Sequence, residues 1–199
     1  MLKGIGASQG FGIGKAVVIK DTELDYSSVK YSDAKSEKAR LHKAADDFVE
    51  ETKLQIEQVK QSAGEEEAEI LEGHLMMLQD PFMLSQMEDN IDQGATILPV
   101  KYWRGQRFFS HFILSSLISD VKDIKDNLLS LLLGIKPVDI SAVEHGSVLV
   151  AKDFTPSMTS QINKENVCAI ITEVGGVTSH SAILARAMGS PAVLSVLDA

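Results

Sequence analysis

The sequence predicts an α/β domain built from both chain ends, with an all-α, four-helix domain inserted in it. Three observations predict this. Short β-branched runs lie near the N-terminus and again in the last third of the chain. Apolar residues at helical spacing fill most of the interval between them. The period changes after Gly134-Ile135-Lys136-Pro137. The expected boundaries are 1–20 plus 138–199 for the α/β domain and 21–137 for the insert.

In chain order, a glycine-rich start leads into Lys15-Ala16-Val17-Val18-Ile19-Lys20, a strand. Asp21 to Asp33 is polar and reads as a linker. From about Ser36, Leu41, Ala45, Phe48, Thr52, Ile56, Val59 and Ala63 recur at steps of three or four, which predicts a long helix stopped by Gly64. Ala68, Leu71, Leu75 and Leu78 form the stripe of a second helix, which Asp80-Pro81 breaks. Leu84, Met87 and Ile91 mark a short third helix, closed by Gly94. A fourth, from about Pro99, carries Phe109, Ile113, Leu117, Val121, Ile124, Leu128 and Leu131. Gly105 within it costs on the order of 1 kcal/mol relative to Ala, which favours a kink there. Ser147-Val148-Leu149-Val150-Ala151 and Val167-Cys168-Ala169-Ile170-Ile171 read as buried strands. Pro156 begins a helical piece through Gln161, and a last helix follows His180.

The 199 residues carry 44% apolar and 24% charged side chains, a globular mixture. No apolar run is long enough to cross a bilayer, and the N-terminus lacks a signal-peptide core. A single cysteine, Cys168, excludes an internal disulfide and suits a reducing, cytoplasmic setting. The formal net charge is −9, from 28 acidic and 19 basic residues. Nine of the acidic residues lie between Glu65 and Asp92, a stretch without lysine or arginine, so the remainder is balanced. That local field argues against nucleic acid and would attract a basic protein surface. It also reads as an ordinary solvated helix face.

Glu173 to Pro191 holds the chemistry. A buried strand ends near Thr172, Gly175 and Gly176 make a turn, and Thr178 or Ser179 caps a helix running from His180 to a stop at Gly189. His180 thereby stands in the first turn of a helix, at the C-terminal edge of a strand. Free N–H groups and the helix dipole there favour an anion. The same field disfavours protonation of the imidazole and leaves it able to attack phosphorus. The two glycines leave a phosphate donor unobstructed, and Thr178, Ser179 and Ser181 offer hydroxyls. Arg186, one and a half turns on, reads as a phosphate neighbour or as a structural ion-pair partner. A ring merely packed against the strand is the plain alternative for His180. His74 reads as a helix-surface or packing residue without a metal-binding companion, and the early glycines do not form a dinucleotide fingerprint.

The string Gly-Gly-x-Thr-Ser-His-x-Ala-Ile-x-Ala-Arg resembles the phosphohistidine signature of phosphoenolpyruvate-utilising enzymes. Its Thr-Ser-His is similar to Enzyme I of the bacterial sugar phosphotransferase system, whereas dikinase and synthase relatives usually carry Thr-Cys-His. The resemblance extends to Gly4-Ile5-Gly6-Ala7-Ser8 through Gly14-Lys15-Ala16, an opening strand. It also covers Ile70 through Leu78, a partner-binding helix pair, and Asp153-Phe154-Thr155-Pro156-Ser157. It implies a discontinuous α/β phosphohistidine domain, incomplete at its C-terminus, around an inserted helical domain that binds HPr, a small histidine phosphocarrier with a basic face. It implies that phosphoenolpyruvate phosphorylates His180 and that HPr receives the group. Gly175, Gly176, Thr178, Ser179 and Arg186 would support the phosphate. Glu65, Glu66, Glu67, Glu72 and Asp80 would form a charged rim around Leu75, Met76 and Met77. For the methionines, plain core is the competing reading.

Three features depart from the family pattern: Gln9 in place of proline, Val177 at a position often held by arginine, and the segment Ile97 to Leu117. The family's C-terminal barrel, which binds phosphoenolpyruvate and magnesium and mediates dimerisation, lies beyond Ala199. The resemblance therefore implies a monomeric fragment with no cofactor of its own, and Mg2+ and a homodimer for the full-length enzyme. Such a fragment would not take phosphate from phosphoenolpyruvate but would accept it from phosphorylated HPr. Two other functions fit fewer features: a non-catalytic HPr-binding module, and the phosphohistidine carrier of a dikinase-type enzyme.

Overall fold

The computed structural model describes residues 2–20, 24, 30–94, 115–136 and 138–197. Most of the expected linker and the expected start of the fourth helix, with Lys101-Tyr102-Trp103-Arg104, Gly105 and Phe108-Phe109, lie outside these residues. Among those described, no helix is long and apolar enough to cross a membrane.

The elements are β1 (Ile5–Ser8), β2 (Lys15–Ile19), α1 (Ala34–Ser62), α2 (Glu65–Leu78), α3 (Pro81–Asp92), α4 (Ser115–Leu133), β3 (Ser147–Ala151), α5 (Pro156–Thr159), β4 (Val167–Thr172), α6 (His180–Met188) and β5 (Ala192–Leu194). They form an α/β unit and a helical unit, as the sequence predicts. By contacts the chain divides into one unit of Met1–Thr22, Leu54–Leu71 and Val138–Ala199, and another of Glu23–Lys53 and Glu72–Pro137. The segment 54–71, assigned to the insert from sequence, thus groups with the sheet. Its Ile56, Val59, Ala68 and Leu71 are buried, and Ala63 packs on the sheet's core.

The sheet-bearing unit has one five-stranded sheet in the order β1-β5-β4-β3-β2. The pairs β2/β3, β3/β4 and β4/β5 are parallel, while β1 runs antiparallel to β5. Both faces of the central strands bury residues, Val148, Val150 and Ala169 on one and a larger core on the other. Leu149, Ala151, Ile170, Ala192 and Leu194 join Phe154, Ile162, Ala182 and Ala185 in a single apolar core. Ala182 and Ala185 have no exposed surface; their small side chains let α6 lie close on the strands, so the helix start is held against the sheet.

The helical unit has its own core, in which Leu41, Ala44, Ala45 and Phe48 of α1 meet Leu78, Ile91, Ile124 and Leu128. Capping fixes its boundaries. Asp80 caps α3 by accepting the Phe82 amide at 2.9 Å, ahead of Pro81 at the first helical position. Gly64 and Gly94, the expected stops, take left-handed φ values of 126° and 82°.

Candidate functional site

Parallel strands deliver their carboxyl ends to one edge of a sheet, and the loops leaving that edge are where an α/β fold gathers chemistry. Here β3 delivers Asp153 to Pro156, and β4 delivers Glu173 to Ser179. The second loop is held at both ends. The Glu173 and Val174 amides donate to the carbonyls of Ala151 and Lys152, and the Ser195 hydroxyl donates to the Gly175 carbonyl at 2.6 Å.

Gly175 has φ +104°, and a Cβ there would stand 3.3 Å from Ser179 Oγ. Only glycine makes this turn without strain. Around Gly176 the space is open: a Cβ would meet nothing within 4 Å. Ser179 then caps α6, its hydroxyl oxygen accepting the Ala182 amide at 3.3 Å. The helix closes on Gly189, whose φ is 67°. The sequence anticipates both ends.

His180 opens α6 and is half-buried. Its Nδ1 is sealed from solvent. The ring lines a small cleft with Glu67, Ile70, Leu71, Thr159 and Ile183. The cleft is small, about 20 Å³. Nδ1 is thus enclosed, while around Gly176, four residues before His180, the space is open.

The other predicted phosphate-side residues divide. Thr178 is exposed. Arg186 is exposed too, but its Nη1 donates to the carbonyls of Val177, at 2.8 Å, and Ala7, at 3.4 Å. The ion pair considered from sequence is replaced by bonds to backbone. Ser181, read as a hydroxyl donor to phosphate, is instead 1% exposed and donates to Asp153 Oδ1 at 3.0 Å. Asp153, Thr159 and the placement of Glu67 beside His180 were missed. The sequence marks Asp153 only as part of a resembling string and Glu67 only as a rim residue; their neighbours at the site lie far along the chain.

On α2, Glu65, Glu69, Glu72 and Met76 repeat at steps of four, three and four and so share one stripe. Glu65, Glu66, Glu69 and Met76 are exposed, Met76 by 75%. Glu72, Leu75 and Met77 are half-buried, and the last two pack against the helical core. Asp80 is exposed and occupied as the cap of α3. His74 is buried, with Asp120 and Asp123 of α4 each 3.8 Å from one of its ring nitrogens.

The chain resembles known proteins along its whole length. Residues 3–97 match the N-terminal region of PEP-utilising enzymes, and residues 143–199 match their mobile domain. It is 34% identical over 208 residues to a phosphoenolpyruvate-protein phosphotransferase of Streptococcus equinus, covering 100% of this chain and 36% of that protein. To the protein of the same name from Haemophilus influenzae it is 34% identical over 203 residues, covering 98% and 35%. It thus spans about a third of the length of these relatives. An NMR solution structure of Enzyme I (nEIt) superposes with a TM-score of 0.79 at 32% identity, over 100% of this chain and 84% of that one. The N-terminal domain of Enzyme 1 - Nitrogen, at 20% identity and a TM-score of 0.59 over 98% and 83%, shares the fold.

Proposed function

The chain belongs to the phosphoenolpyruvate-utilising enzymes, and from that membership we propose that it is the histidine-bearing, amino-terminal part of a phosphoenolpyruvate-protein phosphotransferase. His180 carries the phosphoryl group and exchanges it with HPr in the cytoplasm. The observation that supports this most is the setting of His180: first turn of α6, carboxyl end of β4, Nδ1 enclosed, and open space beside Gly176.

The transfer asks little of the protein beyond placement. The Nε2 lone pair of His180 forms a bond to phosphorus as the bond from phosphorus to the carrier's imidazole breaks. That electron pair returns to the departing ring nitrogen, and no net proton is exchanged. From phosphoenolpyruvate the bond that breaks is to the enol oxygen, and the enolate becomes pyruvate on taking a proton at carbon. Backbone N–H groups at the start of α6 stabilise the incoming anion. Gly175 and Gly176 give it access. Phosphoenolpyruvate and magnesium belong, in this reading, to the barrel of the full-length enzyme, and no step here runs through the ion.

HPr docks on α2, against exposed Glu65, Glu66 and Met76 and half-buried Glu72. Glu65, Glu66 and Glu72 meet its basic face and Met76 enters its apolar part, a charged rim around a hydrophobic anchor. Leu75 and Met77 back that surface from the core side.

The test is to mix the chain with 32P-labelled phospho-HPr and map the label by mass spectrometry. Acid-labile label on His180, absent from His180→Ala, is the expected result. Label on His180→Ala would overturn the assignment. HPr binding without any transfer would support a non-catalytic binding module instead.

A further inference from the structure

Ser181 follows His180 in the first turn of α6, and its side chain points the other way, into the core. It is 1% exposed. Its hydroxyl donates to Asp153 Oδ1 at 3.0 Å and lies 3.4 Å from the Phe154 carbonyl. The same carboxylate oxygen accepts the Phe154 amide at 2.9 Å. Asp153 is half-buried, two residues beyond β3. A carboxylate from one strand end is thus tied to the helix start that the neighbouring strand end delivers.

Two physical effects follow from this bond. The first turn of α6 is fixed to the β3 loop, so the Cα of His180 has a defined place beside the cleft. A negative charge is also installed beside the helix N-terminus, where the field favours anions. A phosphoryl group on His180 would have to share that field. Like charges brought together in a partly desolvated site repel much more than they do in water.

Taking His180 as the carrier, on which this inference rests, we propose that Asp153 is a positioning residue with an energetic role. Through Ser181 it holds the start of α6, and its charge raises the energy of the phosphorylated state. Phosphohistidine on this chain then passes its group onward instead of retaining it. A neutral residue at 153 would make the chain a better resting place for phosphate and a poorer donor.

Asp153→Asn tests this, because the amide oxygen still accepts from Ser181 and Phe154 while the charge is gone. The readout is the equilibrium between phospho-HPr plus chain and HPr plus phosphorylated chain, resolved by 31P NMR. That ratio is thermodynamic, so transfer rates drop out of it, and comparison with Ser181→Ala, which loses the bond to Asp153 but keeps the charge, separates the charge from the positioning. The expected result is a shift of threefold or more towards phosphorylated chain, with the circular dichroism spectrum of the wild type. Asp153→Ser, which puts a neutral hydroxyl acceptor at the position, serves if the asparagine variant does not fold. An unchanged ratio in a folded variant would overturn the role of Asp153 while wild-type labelling left the function of His180 standing. Absence of label on the wild type would sink the reading of His180 itself, and this inference with it.

Discussion

Arg186 donates to the carbonyl oxygen of Val177 at 2.8 Å, so a side chain on α6 reaches back to close the loop in front of its own helix. The same nitrogen reaches the Ala7 carbonyl at the end of β1. One guanidinium therefore fastens the glycine turn to an edge strand. Arg186→Met should slow phosphate acceptance from phospho-HPr about tenfold. It should cost about 1 kcal/mol of stability, the ordinary worth of an exposed hydrogen bond. Quenched-flow labelling and urea denaturation would check the two effects separately.

The two glycines of the turn should respond differently to alanine. Gly175 holds φ +104° with the Ser179 hydroxyl 3.3 Å from where a Cβ would sit. Alanine there should cost about 1–3 kcal/mol and disturb the cap. Gly176→Ala meets open space and should leave the urea midpoint within error while crowding the phosphate's approach, so transfer slows without loss of stability. Equal destabilisation by both variants would contradict this account of the turn.

Residues on the two faces of α2 should separate folding from docking. Met76 is 75% exposed, whereas Leu71 is 2% exposed. Met76→Lys should weaken HPr binding at least tenfold, measured by titration calorimetry, with an unchanged thermal midpoint. Leu71→Ala should cost about 2–5 kcal/mol through the cavity it leaves.

Two carboxyls should titrate low. Asp33 lies below the usual 3.8 chiefly because the Ser36 hydroxyl donates to it, the Ser36 amide adding to the effect. Asp139 is lowered in the same way by Ser141. A depressed folded value means that each contribution is present above the unfolded pKa and is lost as pH falls through the folded one. The stability of the helix that Asp33 precedes should therefore decline only at strongly acidic pH. Carboxyl NMR titration checks the direction, and Ser36→Ala should bring Asp33 back towards 3.8.

Where information was local, the sequence could be read. The stripes of α1, α2 and α3 alternate at helical spacing, and their stops are a glycine or an Asp-Pro step, so short-range chemistry decides them. The strands β3 and β4 are continuous apolar runs. The three-residue β5 was missed: Ala192–Leu194 is too brief for any period, and only pairing with β4 and β1 makes it a strand. The glycine turn, a cap at Thr178 or Ser179 and the place of His180 in the first turn of a helix lie within six residues of one another and are legible in the sequence, and the structure selects Ser179 as the cap. The Ser181–Asp153 bond spans 28 residues, and the bond from Arg186 to Ala7 spans 179. A hydroxyl written beside a histidine looks available for phosphate until its distant partner is known. Between the surface and packing readings of His74 the structure selects packing, and nothing nearby in the sequence reveals the two aspartates that flank it.

The strand order also bears on how the protein is made. β1 leaves the ribosome well before its only sheet neighbour among the described residues, β5, which lies more than 180 residues further along the chain. At roughly 5–20 residues per second, Ile5–Ser8 waits on the order of ten seconds or more for Ala192–Leu194. Meanwhile the helices between them are synthesised complete with their own apolar core. Translation therefore favours a helical unit that forms early and a sheet that closes late, with the edge strand β1 paired only once β5 has been made.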